Sequence, residues 1–207
     1  MKLGIIGAGF VGRAIAKLAI QAGHQVMLSN SRGPQTLFSL RAMIGCQTGT
    51  VSEAINFADV VVVAVPPSAV NQLPASELAG RQVLDAVNYY PERDGQLAVL
   101  DAKQTTTSEW LAEQLPEAII TKAFNAIPMT DLETDGLPAG SEGRRALPLA
   151  GDNAEGKHIA TELYQSFGFD TVDAGALAEG RRFERGTPAY CVRMTKGELE
   201  TALREVV

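Results

Sequence analysis

The apolar run Leu3-Gly4-Ile5-Ile6 gives way, after a glycine-rich interval, to apolar positions at Val11, Ile15, Leu18 and Ala22. The short continuous run predicts a strand, and the helical spacing that follows predicts a helix over about 10–22. Gly23 suits the left-handed position that ends many helices, and Gln25-Val26-Met27-Leu28 predicts a second strand. The alternation continues. Pro34 opens a helical pattern carrying Leu37, Leu40 and Ile44, Gln47 to Gly49 is a short strand, and Ser52-Glu53-Ala54-Ile55 is a brief capped helix. Val60 to Val65 is apolar throughout, too short for a buried helix and rich in β-branched residues, which predicts a central parallel strand. Further strands are expected at 81–87, 118–124, 146–150 and 169–172, with helices at 106–115 and 153–167 and two helical stretches after them. Asn88 to Thr107 is polar and long for a structureless connection, which suits a lid or substrate loop. Strands alternating with helices imply a sheet covered on both faces: the expected class is α/β, a Rossmann-type doubly wound parallel sheet.

Gly7-Ala8-Gly9-Phe10-Val11-Gly12 sits between the first strand and the first helix. Alone the string is common; in that position it predicts a dinucleotide site. Gly7 allows the tight turn, Gly9 leaves room for a pyrophosphate, and Gly12 lets the helix pack closely on the sheet. The helix N-terminus then points its free N–H groups at the anion. After the second strand, where NAD-binding domains carry Asp or Glu for the ribose 2′-hydroxyl, this chain has Ser29-Asn30-Ser31-Arg32. No carboxylate repels a 2′-phosphate there, while two hydroxyls and a guanidinium can bind one, so NADP(H) is expected over NAD(H). The plainer reading of Arg32 is a solvated loop cation in front of Gly33-Pro34. Ligands of open α/β sheets lie beyond the carboxyl ends of the strands, so Val65, Pro66 and Pro67 are expected to border the nicotinamide ribose. Asn88 offers a donor and an acceptor to a carboxamide or ribose, and equally suits a turn before Pro91.

With 207 residues, 45% of them hydrophobic, the chain can bury a substantial core. A net charge of −6 argues against a general nucleic-acid or anionic-membrane surface and leaves room for a local positive pocket. Cys46 and Cys191 are the only cysteines and form no C-x-x-C pair, so neither a disulfide framework nor a metal site is expected. No leader pattern and no apolar run near the ~20 residues that span a bilayer is present, and the expected location is cytoplasmic. His24 falls in a turn and His158 in a polar helix, so neither is assigned to catalysis. Lys122 and Asn125 lie an odd number of residues apart, which on a strand points them to opposite faces; Lys122 reads as a structural or pocket-edge cation. Arg181, Arg182 and Glu184 read as a salt-bridged face or as a grip on an acidic coenzyme tail.

The Gly7-x-Gly9-x-x-Gly12 string, Asn30-Ser31-Arg32, the Ala64-Val65-Pro66 strand end, Lys122-Ala123-Phe124-Asn125 and Asp173-Ala174-Gly175-Ala176-Leu177-Ala178 together resemble the NADPH-dependent reductases of the deazaflavin coenzyme F-420. The resemblance covers nearly the whole chain. It implies an NADP-binding Rossmann domain over residues 1–125 and a small C-terminal α/β subdomain over 126–207 that completes the acceptor pocket. It also implies hydride exchange between NADP(H) and a flavin-like partner, coenzyme F-420 or a flavin, in a homodimer. Where family members carry a Lys shortly after the Ser-Arg pair, this chain has Gly33-Pro34-Gln35-Thr36, leaving Arg32 as the main cation. Similar domains occur in ferric reductases that pass electrons from NADPH through flavin. Direct hydride transfer needs two aligned rings and no proton relay, so no catalytic side chain is assigned. Asn125 is expected beside the cofactor, with Ala126, Ile127, Pro128, Ala174 and Gly175 forming the acceptor pocket; the small residues equally suit close packing. Two rivals stand beside this reading: a dehydrogenase or imine reductase of a small substrate, and a non-catalytic NADPH sensor.

Overall fold

The computed structural model describes residues 1–206. Its strands are β1 (Lys2–Ile6), β2 (Gln25–Ser29), β3 (Gln47–Gly49), β4 (Val60–Val63), β5 (Gln82–Asp85), β6 (Ile119–Lys122), β7 (Ala146–Gly151) and β8 (Asp170–Asp173). They form one sheet in the order β3-β2-β1-β4-β5-β6-β7-β8. From β3 to β6 every pairing is parallel, and the order 3-2-1-4-5-6 reverses its sense of progression between β1 and β4, the mark of a doubly wound nucleotide fold. The C-terminal pair departs from this: β7 runs antiparallel to β6 and parallel to β8.

The helices are α1 (Phe10–Gln21), α2 (Phe38–Ile44), α3 (Val51–Phe57), α4 (Ala75–Leu78), α5 (Pro91–Asp94), α6 (Ala98–Asp101), α7 (Thr107–Gln114), α8 (Met129–Thr134), α9 (Ala154–Ser166) and α10 (Lys196–Arg204). β4 shows why both faces of the sheet are dry. Val60 and Val62 join the core that holds Ile15 and Ala19 of α1 and Leu163 of α9, whereas Val61 and Val63 join the one that holds Leu78, Trp110 and Leu111. An all-valine strand is what two buried faces select, at roughly 1.5–3 kcal/mol per buried side chain. A third, smaller core joins Ala146, Ala150, Val172 and Phe183 to Leu199 and Leu203 of α10.

Several elements differ from the sequence pattern: α4 has no counterpart in it, and β5 and β6 are shorter at both ends than the expected strands. β4 stops at Val63, because Ala64 gives only its N–H to Ile6 (2.9 Å) before the chain leaves the ladder toward Pro66. The expected long loop after Asn88 contains the single turns α5 and α6, too short for periodicity to show. α8 follows Pro128 with one buried apolar residue, Leu132, too little to make a stripe. Among the described residues, no helix is long and apolar enough to cross a membrane.

Candidate functional site

Two cavities open beyond the carboxyl ends of the strands. The larger, about 750 Å³, lies where β1, β2, β3 and β4 end, and the glycine turn forms its floor. Gly7 has φ +114°, and a Cβ there would lie 2.2 Å from the Ala64 carbonyl oxygen. At Gly12 a Cβ would meet the Gly7 carbonyl oxygen at 1.9 Å and then Ile5 of β1, so this glycine fits the helix against turn and strand together. Gly9 differs, since a Cβ there would meet nothing within 4 Å and would project into open space. Two of the three glycines are thus required by the fold, and the third keeps a surface bare.

The loop after β2 is preorganised. Gly7 N–H bonds to the Ser29 carbonyl (3.0 Å), and the Ser29 hydroxyl donates to the Ile5 carbonyl (3.0 Å). That hydroxyl is therefore buried in the sheet, and Ser31 is the serine left at the cleft wall. Asn30 accepts from Arg32 N–H (3.0 Å) and donates to the Thr36 hydroxyl (2.9 Å), which itself donates to the Gly33 carbonyl (2.8 Å). This side-chain-closed turn fixes the backbone while Arg32 stays exposed. Among the described residues, the cleft lining holds Arg32 and Arg13 and no carboxylate. Arg13 was not singled out by sequence; its Nε donates to the Ala8 carbonyl (2.7 Å), bracing the glycine turn. Its position one turn past Gly9 was the available signal. Thr50, which caps α3 in a reciprocal box with Glu53, and Ser52 also line the cleft, at the carboxyl end of β3.

Of the expected cofactor contacts, Gly7, Ala8, Gly9, Asn30, Ser31, Arg32, Val65 and Pro66 meet in this cleft. Phe10 is 71% exposed at the start of α1, Gly12 is buried and Val11 half-buried beside the turn, and Pro67 is turned inward. Asn88 belongs to the second cavity, of about 550 Å³, which lies between residues 103–109 and 178–187.

The wall at Asn88 is built from distant parts of the chain. Its Nδ2 donates to the Asn125 carbonyl (2.9 Å), and Asn125 Nδ2 donates to the Phe183 carbonyl (3.1 Å). Asn125 is 2% exposed, and its Oδ1 has no partner. The backbone bend that aims Asn125 is Phe124, a non-glycine residue at φ +64°, a conformation costing about 1–3 kcal/mol. Phe124 N–H donates to the Tyr164 hydroxyl (2.7 Å), which donates onward to the Pro148 carbonyl (3.0 Å), and the two rings meet edge-to-face at 4.7 Å. Complete burial pushes the Tyr164 phenol far up from its ordinary value, so it remains a donor. Ala126 and Ile127 are buried in the core and Pro128, Ala174 and Gly175 are half-buried; none of these five, nor Asn125, lines either cavity.

Side-chain contacts organise the segments around the second cavity, whose lining includes Tyr89, Thr107, Arg181, Glu184 and Arg185. The Tyr89 hydroxyl accepts from Leu97 N–H (2.9 Å) and donates to Asp101 (2.7 Å), folding the 88–104 segment on itself. Arg185 reaches across to Glu92 (2.7 Å) and lies 5.0 Å over the Tyr90 ring, with Arg93 4.7 Å from the same ring. Hydrogen bonding to Arg185 holds the Glu92 carboxyl below its usual range. The Tyr90 and Tyr190 hydroxyls bond to each other, and burial pushes the Tyr190 phenol up. Arg181 and Arg182 pair with Glu179, and Glu184 accepts from Thr107 N–H (2.7 Å).

Strand order and glycine turn define the class: a Rossmann-type doubly wound fold with a dinucleotide-binding turn. Residues 2–89 match the family described as NADP oxidoreductase coenzyme F420-dependent. Over 185 residues it is 30% identical to metalloreductase STEAP3 of Rattus norvegicus, covering 88% of this chain but only 36% of the relative. The chain thus spans about a third of that protein's length. Its structure is similar to that of a hypothetical protein from Sinorhizobium meliloti, with a TM-score of 0.81, 32% identity and 95% of each chain covered. The fold is also shared with an Arthrobacter protein described as an F420-dependent NADP-reductase, with a TM-score of 0.71, 24% identity and 87% of each chain covered.

Proposed function

We propose that the chain binds NADP(H) in the larger cleft and exchanges hydride between it and a flat, flavin-like acceptor, deazaflavin F-420 or a flavin, held toward the second cavity. The observation that carries this reading is the cleft itself: bare backbone at Gly9, two arginines and no carboxylate in its lining, in a chain of net charge −6. Such a pocket selects a polyanion against the field of the rest of the molecule. The N–H groups at the start of α1 would take the pyrophosphate, with Gly9 giving access. Ser31 and Arg32 would take the 2′-phosphate on a loop that Asn30 has already closed.

The bound nucleotide supplies a hydride from its nicotinamide ring. The protein's part is alignment and dryness. Val65 and Pro66 offer an apolar wall at the end of β4, and Asn88 and Asn125 offer amides for a carboxamide, with Asn125 Oδ1 as the unpartnered acceptor. Pro128, Ala174 and Gly175 have surface to offer a ring, and Ala126 packs in the same small core as Ala174. The homodimer belongs to this reading on family resemblance alone.

NADPH oxidation, followed by nicotinamide absorbance against F-420, FMN, FAD, quinones and ferric chelates, tests the proposal. Turnover with a flat ring acceptor is the expected result. Tight NADPH binding with turnover of none of these would overturn the reductase and leave a sensor.

A further inference from the structure

We propose that the buried Asp85–Lys122 ion pair is a positioning element that sets the Val87–Asn88 peptide, and through it the Asn88 carboxamide, for the reaction proposed above, on which this inference rests. The two residues are register partners at the last rungs of β5 and β6, both wholly buried, with Lys122 Nζ 3.1 Å from Asp85 Oδ2. Neither touches a cavity. What they hold is one residue of backbone: Asp85 Oδ1 accepts the Val87 N–H (2.8 Å), and Lys122 Nζ donates to the Val87 carbonyl (2.6 Å). That carbonyl belongs to the peptide that begins Asn88. The hydroxyl of Ser108, buried on α7, donates to Asp85 Oδ2, so the helix after the 88–104 segment is tied to the same carboxylate.

The pair is therefore a clamp across the sheet. Desolvating two charges is costly, and an apolar pair of similar volume often does as well for stability. The backbone it grips is the place where that cost has a return: the chain leaves β5 in a fixed direction, and Asn88 meets Asn125, three residues past Lys122 on the neighbouring strand.

The test compares native protein with D85N/K122M, which removes both charges together, and with Asn88→Ala. Expected in the folded double variant are at least tenfold faster amide exchange over residues 86–90, NADPH affinity within threefold of native, and at least tenfold slower turnover with FMN as the probe acceptor. Combining it with Asn88→Ala should slow turnover little beyond Asn88→Ala alone, since a clamp acting through Asn88 has nothing left to place. Unchanged exchange and turnover in a folded double variant, or additive losses in the combination, would overturn the proposal. If D85N/K122M does not fold, Ser108→Ala, which removes one hydroxyl from the clamp, should show the same pattern with a smaller amplitude; no change there would likewise overturn it. Absence of FMN turnover by native protein would count against the proposed reaction, while the exchange measurement still decides whether the pair holds the peptide.

Discussion

The two cavities at the carboxyl edge of the sheet are built by different means. The larger one is backbone work: Gly7 at φ +114°, a bare Gly9, and a loop closed by Asn30 within six residues of itself. The second is side-chain work across long separations, with Asp85 reaching Lys122, Asn88 reaching Asn125 and Glu92 reaching Arg185. A cleft of backbone and short turns closed by local hydrogen bonds suits a ligand with invariant phosphates. A cavity assembled from tertiary contacts can be rebuilt by few substitutions, which suits the acceptor side of the proposed reaction.

That contrast can be broken in measurable ways. Lys122→Ala leaves the buried Asp85 carboxylate without its countercharge and should cost about 3–5 kcal/mol, read from denaturant midpoints. A loss below about 1 kcal/mol would mean the second region is not organised by this pair. Gly7→Ala puts a Cβ 2.2 Å from a carbonyl oxygen in a left-handed conformation and should cost about 2–4 kcal/mol of stability. Gly9→Val, with open space around it, should leave stability within about 0.5 kcal/mol. It should nonetheless weaken NADPH binding about tenfold or more, because the side chain stands where the pyrophosphate must approach. A large stability loss in Gly9→Val would remove the distinction between structural and ligand-facing glycines.

The smallest expected effect is one of pH. Arg185 holds Glu92 below its usual range, and Arg145 does the same to Asp131. A carboxylate whose folded value is depressed contributes stability fully present above its unfolded value and lost as pH falls through the folded one. The stability deficit of Arg185→Ala should therefore be complete at neutral pH and fade below about pH 4. A deficit that stays constant into acid would show that Arg185 acts by packing on Tyr90 alone.

Legibility in the sequence follows the same division. The strands from β1 to β4, the glycine turn and the loop at Ser31-Arg32 were readable because each is encoded within a few residues: apolar runs, glycines, a serine-arginine pair. Lys122 read as a structural or pocket-edge cation, on a parity with Asn125 that the end of β6 at Lys122 removes, and its partner Asp85 could not be seen, because strand register joins residues far apart in sequence. The same holds for Arg185 and Glu92. Phe124 carries no local sign of a positive φ; the restraint is Tyr164 of α9, 40 residues later in the chain. Ser29 is instructive in the other direction: its neighbours invited a phosphate-binding role, and pairing with β1 turned its hydroxyl to the Ile5 carbonyl.

The central claim is that the larger cleft is made for NADP(H), and its most direct test is titration of native protein and Arg32→Ala with NADPH and NADH side by side. Arg32 faces the cleft among residues that include no carboxylate. The account predicts that Arg32→Ala weakens NADPH by about 1.5–3 kcal/mol and leaves NADH nearly unchanged. Equal weakening of both nucleotides, or of neither, would contradict it.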